Sequence, residues 1–62
     1  MNGYTVWHKV YGGWFTSSDD KKVNLMYAEV VRDYYLGRGI PAVIREYTDN
    51  GAAEKDYLDR TM

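Results

Sequence analysis

Apolar and polar side chains alternate along residues 4 to 11, "YTVWHKVY", and most are β-branched or aromatic. A period of two in such residues predicts a strand with two distinct faces. Tyr4, Val6, His8 and Val10 share one face, and Thr5, Trp7, Lys9 and Tyr11 share the other. Gly12 and Gly13 then separate two aromatic runs, which predicts a hairpin into a short second strand at Trp14 to Thr16.

Past "TSSDDKK" the period changes. Ser17 or Ser18 is placed to cap free backbone N–H groups, and Asp19 and Asp20 suit the positive end of a helix dipole. Neither Gly nor Pro interrupts the chain from there to Leu36. Val23, Tyr27, Val30 and Tyr34 follow the spacing of one helical face, with Met26 and Val31 flanking it and Lys22, Glu29 and Arg32 away from it. The pattern predicts a helix from Ser18 to Leu36 with Val30 buried. Gly37 or Gly39 closes it in a left-handed conformation, and Pro41 prevents its continuation.

"IPAVIREYT" restores the period of two. Ile40, Ala42 and Ile44 fall on one face, and Val43, Arg45 and Tyr47 on the other. "TDNG" reads as a turn. Residues 52 to 60 suit either a short helix capped by Asn50 or a returning strand, with Ala52, Ala53, Glu54, Lys55 and Leu58 favouring the helix. The expected fold is a small single α+β domain over residues 1–62: a two-layer β-β-α-β arrangement with one helix on one face of the sheet and a C-terminal helix or tail. Parallel pairing of the first and last strands would require a right-handed crossover.

The aliphatic face, Val6, Val10, Ile40, Ala42 and Ile44, is the expected core beneath the helix. The opposite face carries Trp7, Lys9, Tyr11, Val43, Arg45 and Tyr47. Its fate depends on the tail, which either folds back over it or leaves it open. Left open, it is an aromatic and cationic surface of the residue types enriched at interface hot spots. Trp7, Lys9, Tyr11, Arg45 and Tyr47 are therefore the candidate partner-binding residues. Leu25, Arg32 and Leu36, opposite the predicted core stripe, form a secondary candidate surface.

Length sharpens the question of coverage. A chain of 62 residues buries only about 60% of the surface its unfolded form exposes. It has no cysteine, which removes disulfides and Cys-based zinc sites and fits a reducing compartment. The formal net charge of −1 gives no global pull toward nucleic acid or anionic lipid. No basic-then-apolar leader or membrane-length apolar run is visible, and Asn2 rules out the N-myristoylation pattern. The expected location is the cytoplasm.

Catalytic constellations are not legible. His8, the single histidine, falls on the expected core face and reads as a buried, hydrogen-bonded side chain. Asp19 and Asp20 are helix-start acids without the alternating oxygen ligands of a calcium loop. "LGRG" lacks the lysine of a phosphate loop and lies at the wrong end of a helix. No metal, cofactor or enzymatic activity is expected. The expectation is a protein-binding module acting by occupancy, in the manner of small phage inhibitors of host proteins, or binding its own copy. A nucleic-acid-binding domain stacking bases on the open sheet is the alternative.

Overall fold

The computed structural model describes residues 3–61. Strands β1 (Tyr4–Val10), β2 (Gly13–Phe15) and β3 (Ala42–Glu46) form one sheet in the order β2-β1-β3. Helices α1 (Leu25–Gly37) and α2 (Gly51–Thr61) complete the α+β domain. Both strand pairs are antiparallel, with Val10 opposite Gly13 and Val6 opposite Ile44. The first and last strands are thus antiparallel neighbours, so the crossover rule for parallel strands does not arise.

Tyr11 and Gly12 make the hairpin, with φ of 54° and 78°. Two consecutive left-handed residues form the turn whose twist matches that of the strands it joins. β2 is too short to cover all of β1. Beyond it, Val23 bridges Tyr4, exchanging two backbone hydrogen bonds of 2.7 and 2.8 Å. Thr5 Oγ1 donates to the Lys21 carbonyl in the same segment.

That bridge corrects the predicted helix start. Ser18–Asp20 form only a single 3-10 turn, and the Ser17 hydroxyl donates to the Asp20 carboxylate instead of capping backbone. The chain then passes through the Val23 bridge to Asn24, whose side chain accepts from the Tyr27 N–H at 2.8 Å and caps α1. The other end is as predicted. Gly39 holds φ of 80°, its N–H donates to the Leu36 carbonyl, and the Ile40 N–H donates to Tyr35. This pair of bonds is the Schellman closure, in which a residue free of Cβ takes the left-handed position.

α1 packs on β1 and β3. The core beneath it lies on the predicted sheet face, where Val6 and Ala42 are buried. The helix is nevertheless turned. Ala28 is fully buried and Val30 is 64% exposed, which corrects the expectation that Val30 is core. Near the C-terminal end the Tyr35 ring stacks on His8, with centroids 4.5 Å apart and planes 15° apart. His8 is thus an inward side chain held by a ring, and its Nδ1 finds no hydrogen-bond partner among the described residues.

Of the two dispositions open to the tail, the structure has the covered one. α2, capped by the Asn50 side chain on the Ala53 N–H, lies over the second face of the sheet. It buries Leu58 completely against Trp7 and Trp14, with Val43 packed beside them. α2 therefore adds a third layer to the two predicted.

Candidate functional site

The second sheet face loses its exposure to α2. Trp7 is 5% exposed and belongs to the core. Arg45 points to α2, where its guanidinium lies 3.0 Å from the Glu54 carboxylate and 5.3 Å from the Tyr57 ring. Lys9 is half-buried, with its ammonium 6.0 Å from the Trp14 ring. Tyr47 donates to Asp49 at 2.9 Å and has Lys22 over its ring at 4.9 Å. Tyr11 alone of the five stands fully in solvent, at the tip of the hairpin. Trp7, Lys9, Tyr11, Arg45 and Tyr47 do not form one open surface. Of the five, Trp7 and Arg45 are used to attach α2.

A charged contact with β2 fastens α2 further. Asp59 accepts from the Trp14 backbone N–H at 2.8 Å and from Lys55 at 2.7 Å. The Lys55 hydrogen bond first, and the Trp14 bond second, hold the Asp59 carboxyl below its ordinary value of 3.8. Beneath α1, burial and then the nearby Asp20 carboxylate raise the Tyr35 phenol above its ordinary 10.0. Asp20 itself is buried and accepts from Ser17. These groups join the layers of the fold.

Thr5, Trp7, Lys21, Glu46, Thr48 and Glu54 help line a cavity of about 110 Å3 beside the start of α2. The Trp7 indole N–H has no hydrogen-bond partner among the described residues. The cavity is roomy enough for a few water molecules and well below the several hundred Å3 of ordinary ligand pockets. Among the described residues no group of three or more His, Cys, Asp or Glu side chains is placed to hold a metal ion. Nor is any helix there long and apolar enough to cross a membrane.

An open apolar surface lies on α1. Met26 is 77% exposed, Val30 64%, Tyr34 58% and Tyr27 45%. At roughly 100° per residue these four lie on the side of the helix away from Ala28. Arg38 reaches back over the Tyr34 ring at 5.3 Å and closes the C-terminal end of the stripe. Glu29 and Asp33 border it on one flank. The secondary candidates lie on a different side of α1, with Leu25 44% and Leu36 50% exposed. Leu25, Arg32 and Leu36 are about 40–80° around from Ala28 by the same geometry. Arg32 is half-buried and paired to Asp33 at 3.1 Å.

No family model matches the chain, and neither does any curated protein or solved structure.

The sequence held the signal for this surface. The stripe Tyr27, Val30 and Tyr34 with Met26 beside it was legible as one apolar face; its direction was not. Periodicity identifies an apolar face but does not say what covers it. Ala28, the residue that lies deepest, contributes little to any hydrophobic pattern, yet its small side chain lets the helix lie close to the sheet.

Proposed function

We propose that this chain is a protein-binding module that docks through the outward face of α1. The observation carrying this reading is the orientation of the helix. α1 seats the small Ala28 against the sheet and turns Met26, Tyr27, Val30 and Tyr34 to solvent. These four side chains expose on the order of 450 Å2, taking roughly 150–250 Å2 for a fully exposed large side chain. Contiguous apolar patches of about 300–600 Å2 are the largest that monomers ordinarily show, and they are often functional. Tyr and Met are also among the residues enriched where proteins meet, as is Arg, which Arg38 supplies beside Tyr34.

Stacking bases on the sheet would require an exposed sheet face, and Trp7 lies under α2. The nucleic-acid alternative therefore has no surface of the kind that suggested it.

A photo-crosslinking residue at position 30 tests the docking face, with one at the exposed position Asp56 of α2 as control. Protein adducts, whether with this chain or another, should form at position 30 and not at position 56. Absence of any adduct specific to position 30 would contradict the reading.

A further inference from the structure

We infer that the outer edge of β3 pairs with β3 of a second copy, antiparallel about a two-fold axis at Ile44, so that two sheets become one. The inference does not rest on the docking reading above, and the pairing leaves Met26, Val30 and Tyr34 open to solvent.

The argument starts from where the backbone hydrogen bonds of the sheet go. Lys9 donates to Pro41, and Tyr47 donates to Gly3. Bonded pairs alternate along an antiparallel ladder, so Val43 and Arg45 also face β1. Ala42, Ile44 and Glu46 therefore turn their N–H and C=O groups outward, and these groups have no hydrogen-bond partner among the described residues. The opposite edge is covered. The Trp14 N–H of β2 donates to Asp59 at 2.8 Å, and Val23 pairs with Tyr4 beyond β2. The β3 register runs without a bulge. A regular, uncovered edge is a template for another strand. Its alternating donors and acceptors are matched by an extended backbone.

α1 selects a second copy as the source of that strand. The Tyr35 phenol lies by Asp20, on the β2 side of β1. At roughly 100° per residue, Leu25, Glu29, Arg32 and Leu36 lie on the other flank of α1, above β3. α1 packs over both β1 and β3. With strands about 4.8 Å apart, β3–β3 pairing puts the two α1 helices about 10 Å apart, within the spacing of packed helices. α1 starts beside the Tyr4–Val23 bridge and ends near the Lys9–Pro41 bond, so its midpoint lies level with Val6 and Ile44.

A two-fold contact must be self-complementary, and both layers are. On the strands, Ile44 exchanges hydrogen bonds with Ile44 of the second copy, and Ala42 does so with Glu46. On the helices, Leu25 meets Leu36, and Glu29 meets Arg32. Glu29 has no ion-pair partner among the described residues. The like charges of one helix thus face opposite charges on the other.

Sedimentation equilibrium on the full chain tests the inference, from about 1 µM to about 500 µM, a range bracketing weak interfaces. The wild type should pass from monomer to dimer, and salt should weaken the dimer. Hydrogen exchange of the Ala42, Ile44 and Glu46 amides should slow as concentration rises. Glu46→Pro removes an outward N–H and no bond to β1, and should weaken the dimer by at least about tenfold. Glu46→Thr keeps that N–H and should keep the dimer. Glu29→Lys and Arg32→Glu should each be monomeric alone and form a mixed dimer when combined, an outcome that a loss of folding cannot produce. A wild type monomeric throughout the range overturns the inference. So does a dimer whose β3 amides exchange unchanged, or a mixture of the two charge variants that stays monomeric.

Discussion

Tyr11 holds φ of 54° with its ring wholly in solvent. A left-handed conformation costs a residue with a Cβ about 1–2 kcal/mol, and asparagine bears it more easily. Within the fold nothing rewards a tyrosine there. Tyr11→Asn should therefore raise stability, by about 0.5–1 kcal/mol, seen as a higher Tm. A lower Tm would mean that the ring stabilises the hairpin. Asp59 makes a different kind of contribution. Its folded value lies below the ordinary 3.8 because Lys55 and the Trp14 N–H favour the carboxylate. The stabilisation it confers is present above the ordinary value and is lost as the pH falls through the lower folded value. Thermal melts from about pH 5 to about pH 2 should show this loss, and Asp59→Asn should lessen the slope. An unchanged slope would remove Asp59 from the acid response.

At the level of elements, the ends that carry specific chemistry were legible and the uncapped interiors less so. Gly39 and Pro41 marked the end of α1 because a left-handed residue followed by proline permits little else. Asn50 offered a cap for α2, with a returning strand left as the alternative. The start of α1 was misplaced because Ser17, Asp19 and Asp20 resemble a helix opening, while the competing demand came from the exposed edge of β1. Val23 pairs with Tyr4 there, a long-range contact that local pattern does not report. The second face of the sheet was ambiguous for a related reason. Aromatic and cationic side chains serve equally well to bind a partner or to seat a terminal helix, and α2 takes them. Trp7 is accordingly a core residue, and Trp7→Ala should cost about 3–5 kcal/mol. In a domain of this size the whole margin is rarely above about 3–5 kcal/mol, so the variant should be largely unfolded by circular dichroism. A cooperative melt near that of the wild type would contradict the packing of α2 on Trp7 and Trp14.

The whole molecule is a thin sheet between two helices of unlike character. α2 exposes ion pairs such as Arg60 with Asp56 and turns Leu58 inward. α1 seats Ala28 against the sheet and turns Met26, Val30 and Tyr34 to solvent. The docking face depends on this orientation, and one pair of substitutions tests it most directly. Val30→Asp and Ala28→Asp place the same charge on the same helix two residues apart. Asp and Val differ little in helix propensity, so burial decides the outcome. The melts should be taken at a concentration low enough for every form to be monomeric. Val30→Asp should then stay within about 0.5 kcal/mol of the wild type, a shift of a few degrees at most. Ala28→Asp should unfold, because it buries an unpaired charge where the helix meets the sheet. The reverse result, with Val30→Asp unfolded and Ala28→Asp tolerated, would mean that α1 is turned the other way and that its apolar stripe is core.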